Sequence, residues 1–226
     1  MRSALILGNG PSIQHLSQGD LVGDVVFACN KIHKHPLWEQ GWRPDVWVLG
    51  DKFGTPVQEI RSLVNLHARE GHDAWVKSSI LELCSNTEMV AEDRWDWFRY
   101  DQIRTYANCA HSLDWPPGGW HDPHICCFSG SVYSMVQIAV LYYGCDEVFF
   151  MGIDGNISKG RTGNHFADDY QSVWYGPPLV DRINKELRLG HEITARELSA
   201  RDIPAVNLTP NSAFSAYNSQ PMERIP

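Results

Sequence analysis

Four short stretches combine small, amide-rich and acidic residues in a way that suits binding of an anionic, hydroxyl-bearing ligand. They are Gly8-Asn9-Gly10-Pro11-Ser12, Cys29-Asn30, Gly50-Asp51 and Gly152-Ile153-Asp154. Glycines at a strand-to-helix turn let backbone amides come close to a ligand, and a helix N-terminus beyond them favours negative charge by ~0.3–1 kcal/mol. Phosphate is the guest this predicts, although Gly10-Pro11-Ser12 would also serve as a plain turn and helix cap. Ser129-Gly130-Ser131 offers two hydroxyls and exposed amides ahead of a second helix. Two histidines stand where a base would be useful: His165, in a long polar stretch, and His191, ahead of the final helical run.

Other chemistries are poorly served. Ile13 occupies the place of the third glycine of the dinucleotide fingerprint, and no G-x-x-x-x-G-K-[ST] occurs. A D-x-D pair is missing, but Asp51 and Asp154 would share one Mg2+ ion if folding brings them together. The six cysteines lack C-x-x-C pairing, so free thiols are expected. Cys126-Cys127 with His121 and His124 is the one cluster suggestive of zinc, and its spacing is not that of a four-ligand structural site.

These stretches need a scaffold that gathers them. The apolar runs at 4–7, 25–29 and 46–49 lack alternation and suit strands buried on both faces of a parallel sheet, with 74–76 a fourth. Residues 56–68 place Val57, Ile60, Val64 and His67 at helical spacing, and 131–143 do the same with Val132, Met135, Val136, Ala139 and Tyr142, ending at Gly144. A strand over 147–151 runs into Gly152, a helix with a break near Gly190-His191 spans 179–201, and 205–208 is a last strand before Thr209-Pro210-Asn211-Ser212. Residues 86–124, with four tryptophans and the Pro116-Pro117-Gly118-Gly119 run, read as an irregular insertion, and 155–178 as a lid. The expected architecture is a Rossmann-like, doubly wound, mostly parallel α/β domain over all 226 residues, with helices on both faces. In such a sheet ligands bind beyond the carboxyl ends of the strands, where all the stretches above converge.

Composition narrows the partners. Twenty-seven acidic and nineteen basic residues leave a net charge of −8, which argues against general nucleic-acid binding. No apolar run reaches the ~18 residues of a membrane-spanning helix, and Met1-Arg2-Ser3 leads directly into strand-like sequence, so a cytoplasmic chain with no integral membrane segment is expected.

The order of these motifs resembles that of bacterial sialyltransferases that use CMP-sialic acid. The resemblance rests on Gly8-Asn9-Gly10-Pro11-Ser12, Cys29-Asn30, the Ser-Gly-initiated helix, Gly152-Ile153-Asp154 and Pro210-Asn211-Ser212. The Ser129 to Gly144 spacing and Arg43-Pro44-Asp45 before the strand ending near Asp51 are also similar to the related hydroxymethylpterin diphosphokinase-like domain of flagellin glycosyltransferases. The first resemblance implies an inverting glycosyltransferase that moves a sugar from a CMP-linked donor to a saccharide hydroxyl. It places the nucleotide on Gly8, Asn9, Gly10, Ser12, Asn30 and Ser129, and makes His191 the base. The lid tyrosines of that family are replaced by Asn156 and His165, so a protonated His165 with Arg161 or Lys159 would have to hold the leaving phosphate. The second resemblance implies diphosphate transfer from ATP with magnesium. A third reading is a nucleotide-binding module without turnover. Sugar, acceptor and linkage stay open, as does assembly into a homo-oligomer.

Overall fold

The computed structural model describes residues 1–50, 55–77, 103–108, 120, 124–125, 130–155, 157–158, 165–167 and 176–219. Its centre is a parallel sheet. The strands are β1 (Ser3–Leu7), β2 (Val25–Cys29), β3 (Val46–Leu49), β4 (Asp73–Lys77), β5 (Ile103–Asn108), β6 (His124–Ile125), β7 (Glu147–Met151), β8 (Ala205–Asn207) and β9 (Asn218–Ser219). They lie side by side in the order β6-β5-β4-β3-β2-β1-β7-β8-β9, and every neighbouring pair is parallel.

The unbroken apolar runs form strands because both faces of the sheet are covered. Ala4, Ile6, Phe27 and Val48 point into one core with Met135, Val136, Ile138 and Ala139, from helix α3 (Ser131–Tyr143), and Leu198, from helix α4 (Pro177–Ser199). Leu5, Leu7, Ala28, Trp47 and Leu49 point the other way. They meet Leu37 of the short helix α1 (Pro36–Glu39) and Ile60, Leu63 and Val64 of helix α2 (Val57–Glu70). Each fully buried aliphatic side chain contributes about 1.5–3 kcal/mol, so the alternation fixes the register of the sheet. The fold is a Rossmann-like, doubly wound α/β architecture.

Three local expectations change. Residues within the stretch read as an irregular insertion supply β5 and β6, which pair in register, Ala107 opposite His124, and extend the sheet beyond β4. Helix α4 runs through Gly190-His191 without a break. A glycine inside a helix costs about 1 kcal/mol, and here Gly190 belongs to a buried stripe with Val180, His191, Ile193, Thr194 and Leu198 that offsets the cost. The helix expected directly after β1 is a single 3-10 turn, Pro11–Ile13. Helix α3 is buried more fully than its apolar spacing implies, with Ser134 and Gln137 also inaccessible, because it lies between β1, β2 and β3 on one side and α4 on the other. It ends as expected at Gly144, which adopts a left-handed conformation with φ +64°.

Candidate functional site

Strands β1 and β7 are neighbours, but the chain continues from β1 toward β2 on one side and from β7 toward β8 on the other. The order reverses at this pair. In doubly wound sheets ligands bind beyond the carboxyl edge at such a switch point. The loops that meet there are 8–12 after β1 and 152–155 after β7.

The two loops are fastened to each other. The Gly8 amide donates to the Met151 carbonyl at 2.7 Å, and the Gly10 amide to the Gly152 carbonyl at 2.9 Å. A Cβ at Gly8 would lie 2.4 Å from the Gly152 oxygen, and one at Gly10 would lie 1.9 Å from Asp154 Oδ2. Gly152 itself holds φ +73°, with the Gly8 carbonyl oxygen 2.6 Å from where its Cβ would be. These glycines therefore serve the contact between the two loops. On the first loop the protein places a carboxylate of its own. Asp154 Oδ1 accepts from the Ser12 amide at 3.2 Å and Oδ2 from the Ser12 hydroxyl at 2.8 Å. Burial pushes the Asp154 pKa up, against the opposing pull of the two Ser12 bonds. A phosphate about 6 Å from an ionised Asp154 would be repelled by about 3 kcal/mol at an effective dielectric of about 20. The short 3-10 turn after Pro11 offers little dipole in compensation.

A second knot ties β2 to its neighbours. Asn9 Nδ2 donates to the Cys29 carbonyl at 3.1 Å. Asn30, in the left-handed region at φ +47°, donates from Nδ2 to the Ser131 hydroxyl at 3.0 Å and accepts the Gly50 amide on Oδ1 at 3.1 Å. Its carbonyl takes the Trp47 indole N–H at 2.9 Å. One asparagine thus joins the ends of β2 and β3 to the first turn of α3. Gly130 is the N-cap of α3 and supplies no side-chain cap.

The region after β8 supports the 152–155 loop from behind. The Thr209 hydroxyl accepts the Ile153 amide at 3.1 Å, and the Ser212 hydroxyl donates to the Ile153 carbonyl at 2.7 Å. Ser212 is therefore a brace for Asp154, and Asn211, with φ +55°, turns the chain beside it.

The two histidines have different surroundings. His165 donates to the Asn9 carbonyl, which also receives the Phe166 amide at 3.1 Å, so this piece of the expected lid rests on the first loop. Phe166 is buried, its ring 5.1 Å from His35. Burial lowers the His165 pKa to about 4, helped by the Lys31 charge. That corrects the expectation of a protonated His165. His191 is 2% exposed and enclosed by Tyr133, Phe214 and Tyr217, and its Nδ1 lies 2.8 Å from the Tyr217 hydroxyl. Burial brings its pKa to about 3. In this position it is a packed core residue.

Asp51, Ser129, Asn156, Lys159 and Arg161 lie outside the described residues, as do His121, Cys126 and Cys127. Among the described residues no group of three or more His, Cys, Asp or Glu side chains is arranged to hold a metal ion. Cys29 and Cys145 are free, buried thiols. No helix among the described residues is long and apolar enough to cross a membrane. Sequence reasoning missed Lys31, which sits beside Asn30 and is 5% exposed. Its position after the strand was legible, but its burial was not.

The fold defines a doubly wound α/β protein whose loops after β1 and β7 meet at its switch point. No family model matches the chain, and no curated protein does. Among solved structures, the chain is similar to the sialyltransferase CstII from Campylobacter jejuni, determined in complex with a substrate analogue, cytidine-5'-monophosphate. The identity is 15%, the TM-score is 0.48, and the match covers 96% of this chain and 84% of that one.

Proposed function

We propose that the protein is an inverting glycosyltransferase that moves a sugar from a CMP-linked donor to a saccharide hydroxyl. The observation that carries this reading is that Asn9 and two hydrogen-bonded pairs, Asn30–Ser131 and Ser12–Asp154, lie at the carboxyl ends of β1, β2 and β7, with His165 resting on Asn9. The motif order in the sequence supplies the cytidine donor, and the geometry supports particular roles. Asp154 uses one lone pair on each oxygen for Ser12, which leaves acceptor capacity for a ribose hydroxyl.

In the reaction the acceptor oxygen attacks the anomeric carbon, the bond from that carbon to the phosphate oxygen breaks, and its electron pair leaves with CMP. The acceptor proton goes to His165. The lowered pKa keeps the imidazole neutral, and its hydrogen bond to the Asn9 carbonyl orients the ring. A general base poised near the operating pH contributes roughly 10²–10⁴-fold, and the pKa of about 4 puts His165 at the low end of that range.

Melting experiments with CMP, CDP, UDP and ATP test the donor. CMP is expected to raise the melting temperature, and Asn30→Ala to abolish the rise. No response to any of the four would overturn the reading. Donor hydrolysis that disappears in His165→Ala separates an enzyme from a binding module. Diphosphate transfer from ATP with magnesium is the alternative reading. Incubation with ATP, magnesium and a hydroxymethyl-dihydropterin is expected to release no AMP.

A further inference from the structure

Helix α4 is longer than the strands it connects. Its 23 residues cover about 34 Å at 1.5 Å each, whereas the five residues of β7 cover about 17 Å. The residues that pack it down, Gly190, His191, Ile193, Thr194, Glu197 and Leu198, lie in its second half, and in the first half only Val180 is buried. Because α4 carries the chain back from the carboxyl end of β7 to the start of β8, its parallel neighbour, that first half stands at the carboxyl edge. It is fastened there twice. The Tyr133 hydroxyl donates to the Leu187 carbonyl at 2.5 Å, which ties α4 to α3 two residues beyond Ser131. One turn earlier Asn184 takes both peptide groups of Ile157: its Oδ1 accepts the Ile157 amide and its Nδ2 donates to the Ile157 carbonyl, each at 2.9 Å.

A single hydrogen bond fixes a distance, whereas a pair to the N–H and C=O of one residue also fixes the rotation of the backbone, as a neighbouring strand does. Asparagine is a poor helix former, so Asn184 adds nothing to α4 itself that leucine or lysine would not exceed. Its partner lies three residues beyond Asp154, just past Gly155, which at φ +91° is packed so closely that a Cβ would lie 2.7 Å from the Phe214 ring. Thr209 and Ser212 brace Ile153 ahead of Asp154, the Asp154 carbonyl takes the Ala213 amide at 3.0 Å, and Asn184 holds the chain after it. We infer that Asn184 is a positioning residue of the donor site: it locks the chain downstream of Asp154 to α4 and so presents the Asp154 loop already in the arrangement that a nucleotide binds. This rests on the CMP-donor reading above, which itself requires nothing of Asn184.

The test compares the wild-type chain with Asn184→Leu and Asn184→Asp by amide hydrogen exchange without ligand, by melting temperature and by CMP affinity in calorimetry. Asn184→Leu keeps the volume and loses both bonds. Exchange at the Ile157 amide is expected to rise about 10-fold, and CMP affinity to fall about 10-fold, since the nucleotide must then order the loop as it binds. A merely structural role would lower the melting temperature and leave the affinity as it is. Asn184→Asp is the readable variant should the leucine form not fold. Its carboxylate accepts the Ile157 amide but repels the carbonyl, whereas a protonated carboxyl restores both bonds. Its CMP affinity, relative to wild type at the same pH, is therefore expected to be about 10-fold low at about pH 7.5 and to recover toward about pH 4.5. Exchange at Ile157 as fast in wild type as in Asn184→Leu, an unchanged CMP affinity in Asn184→Leu, or a deficit in Asn184→Asp that ignores pH overturns the role of Asn184 while the donor reading stands. A wild-type chain that protects the Ile157 amide but binds no CMP removes the donor reading itself, and the positioning role with it.

Discussion

Asn30 and Ser131 stand 101 residues apart in sequence, and their side chains are joined by a 3.0 Å hydrogen bond at the edge of the sheet. The same asparagine accepts the Gly50 amide and holds a backbone conformation that few residues other than glycine and asparagine tolerate. The ends of two strands and the start of a helix are therefore joined through one side chain.

Asn30→Ala removes both side-chain bonds and forces alanine into the left-handed region. At about 1 kcal/mol for each bond and about 1 kcal/mol for the backbone, a loss of roughly 3 kcal/mol is expected in urea denaturation. Asn30→Gly, which keeps the backbone at ease, is expected to recover about a third of it.

Gly8→Ala places a methyl group against a carbonyl oxygen at 2.4 Å, and no side chain can move aside to relieve it. The expected cost is about 2–3 kcal/mol, with a fall in any nucleotide-induced melting shift as the two loops part. Gly71→Ala is the control. It has open space around its Cβ, so its cost comes only from φ +79°.

His67 is fully buried, stacked on Trp47 with 5.1 Å between ring centres, and neither ring nitrogen has a hydrogen-bond partner. Burial holds its pKa at about 3, against 6.5 in an open chain. Between these values the unfolded state carries the extra proton. Stability from His67 is thus full above pH 6.5 and declines as pH falls toward about 3. His67→Phe keeps the stack and removes that proton, so its denaturation midpoint is expected to depend less steeply on pH over this window. An unchanged slope would show that His67 does not titrate on unfolding.

On the proposed mechanism His165→Ala is expected to lower donor turnover by about 10²-fold, and loss of the hold on Asn9 is expected to expose the bond on either side of residue 165 to proteolysis. His165→Gln, which can still donate to that carbonyl, should restore protection from proteolysis without restoring turnover. Recovery of both would assign His165 a holding role only.

Much of the fold was legible along the chain. The runs 4–7, 25–29 and 46–49 are apolar on both faces, which only a covered parallel sheet accommodates, and the spacing of Ile60, Val64 and His67 places α2 on one of those faces. The gathering of Asn9, Asn30, Ser131 and Asp154 also follows, since parallel strands put their carboxyl ends on one edge. What sequence could not decide was which partner each polar atom would take. The glycines of 8–12 and 152 look alike whether they admit a ligand or another loop, and only packing shows that they face each other. Asp154 reads as a free carboxylate until folding brings Ser12 against it, and His191 reads as a surface base until Tyr133, Phe214 and Tyr217 close around it. Local pattern records which residues are apolar and how they recur. Burial, charge and hydrogen-bond pairing depend on residues distant in sequence, so these were fixed by the tertiary structure alone.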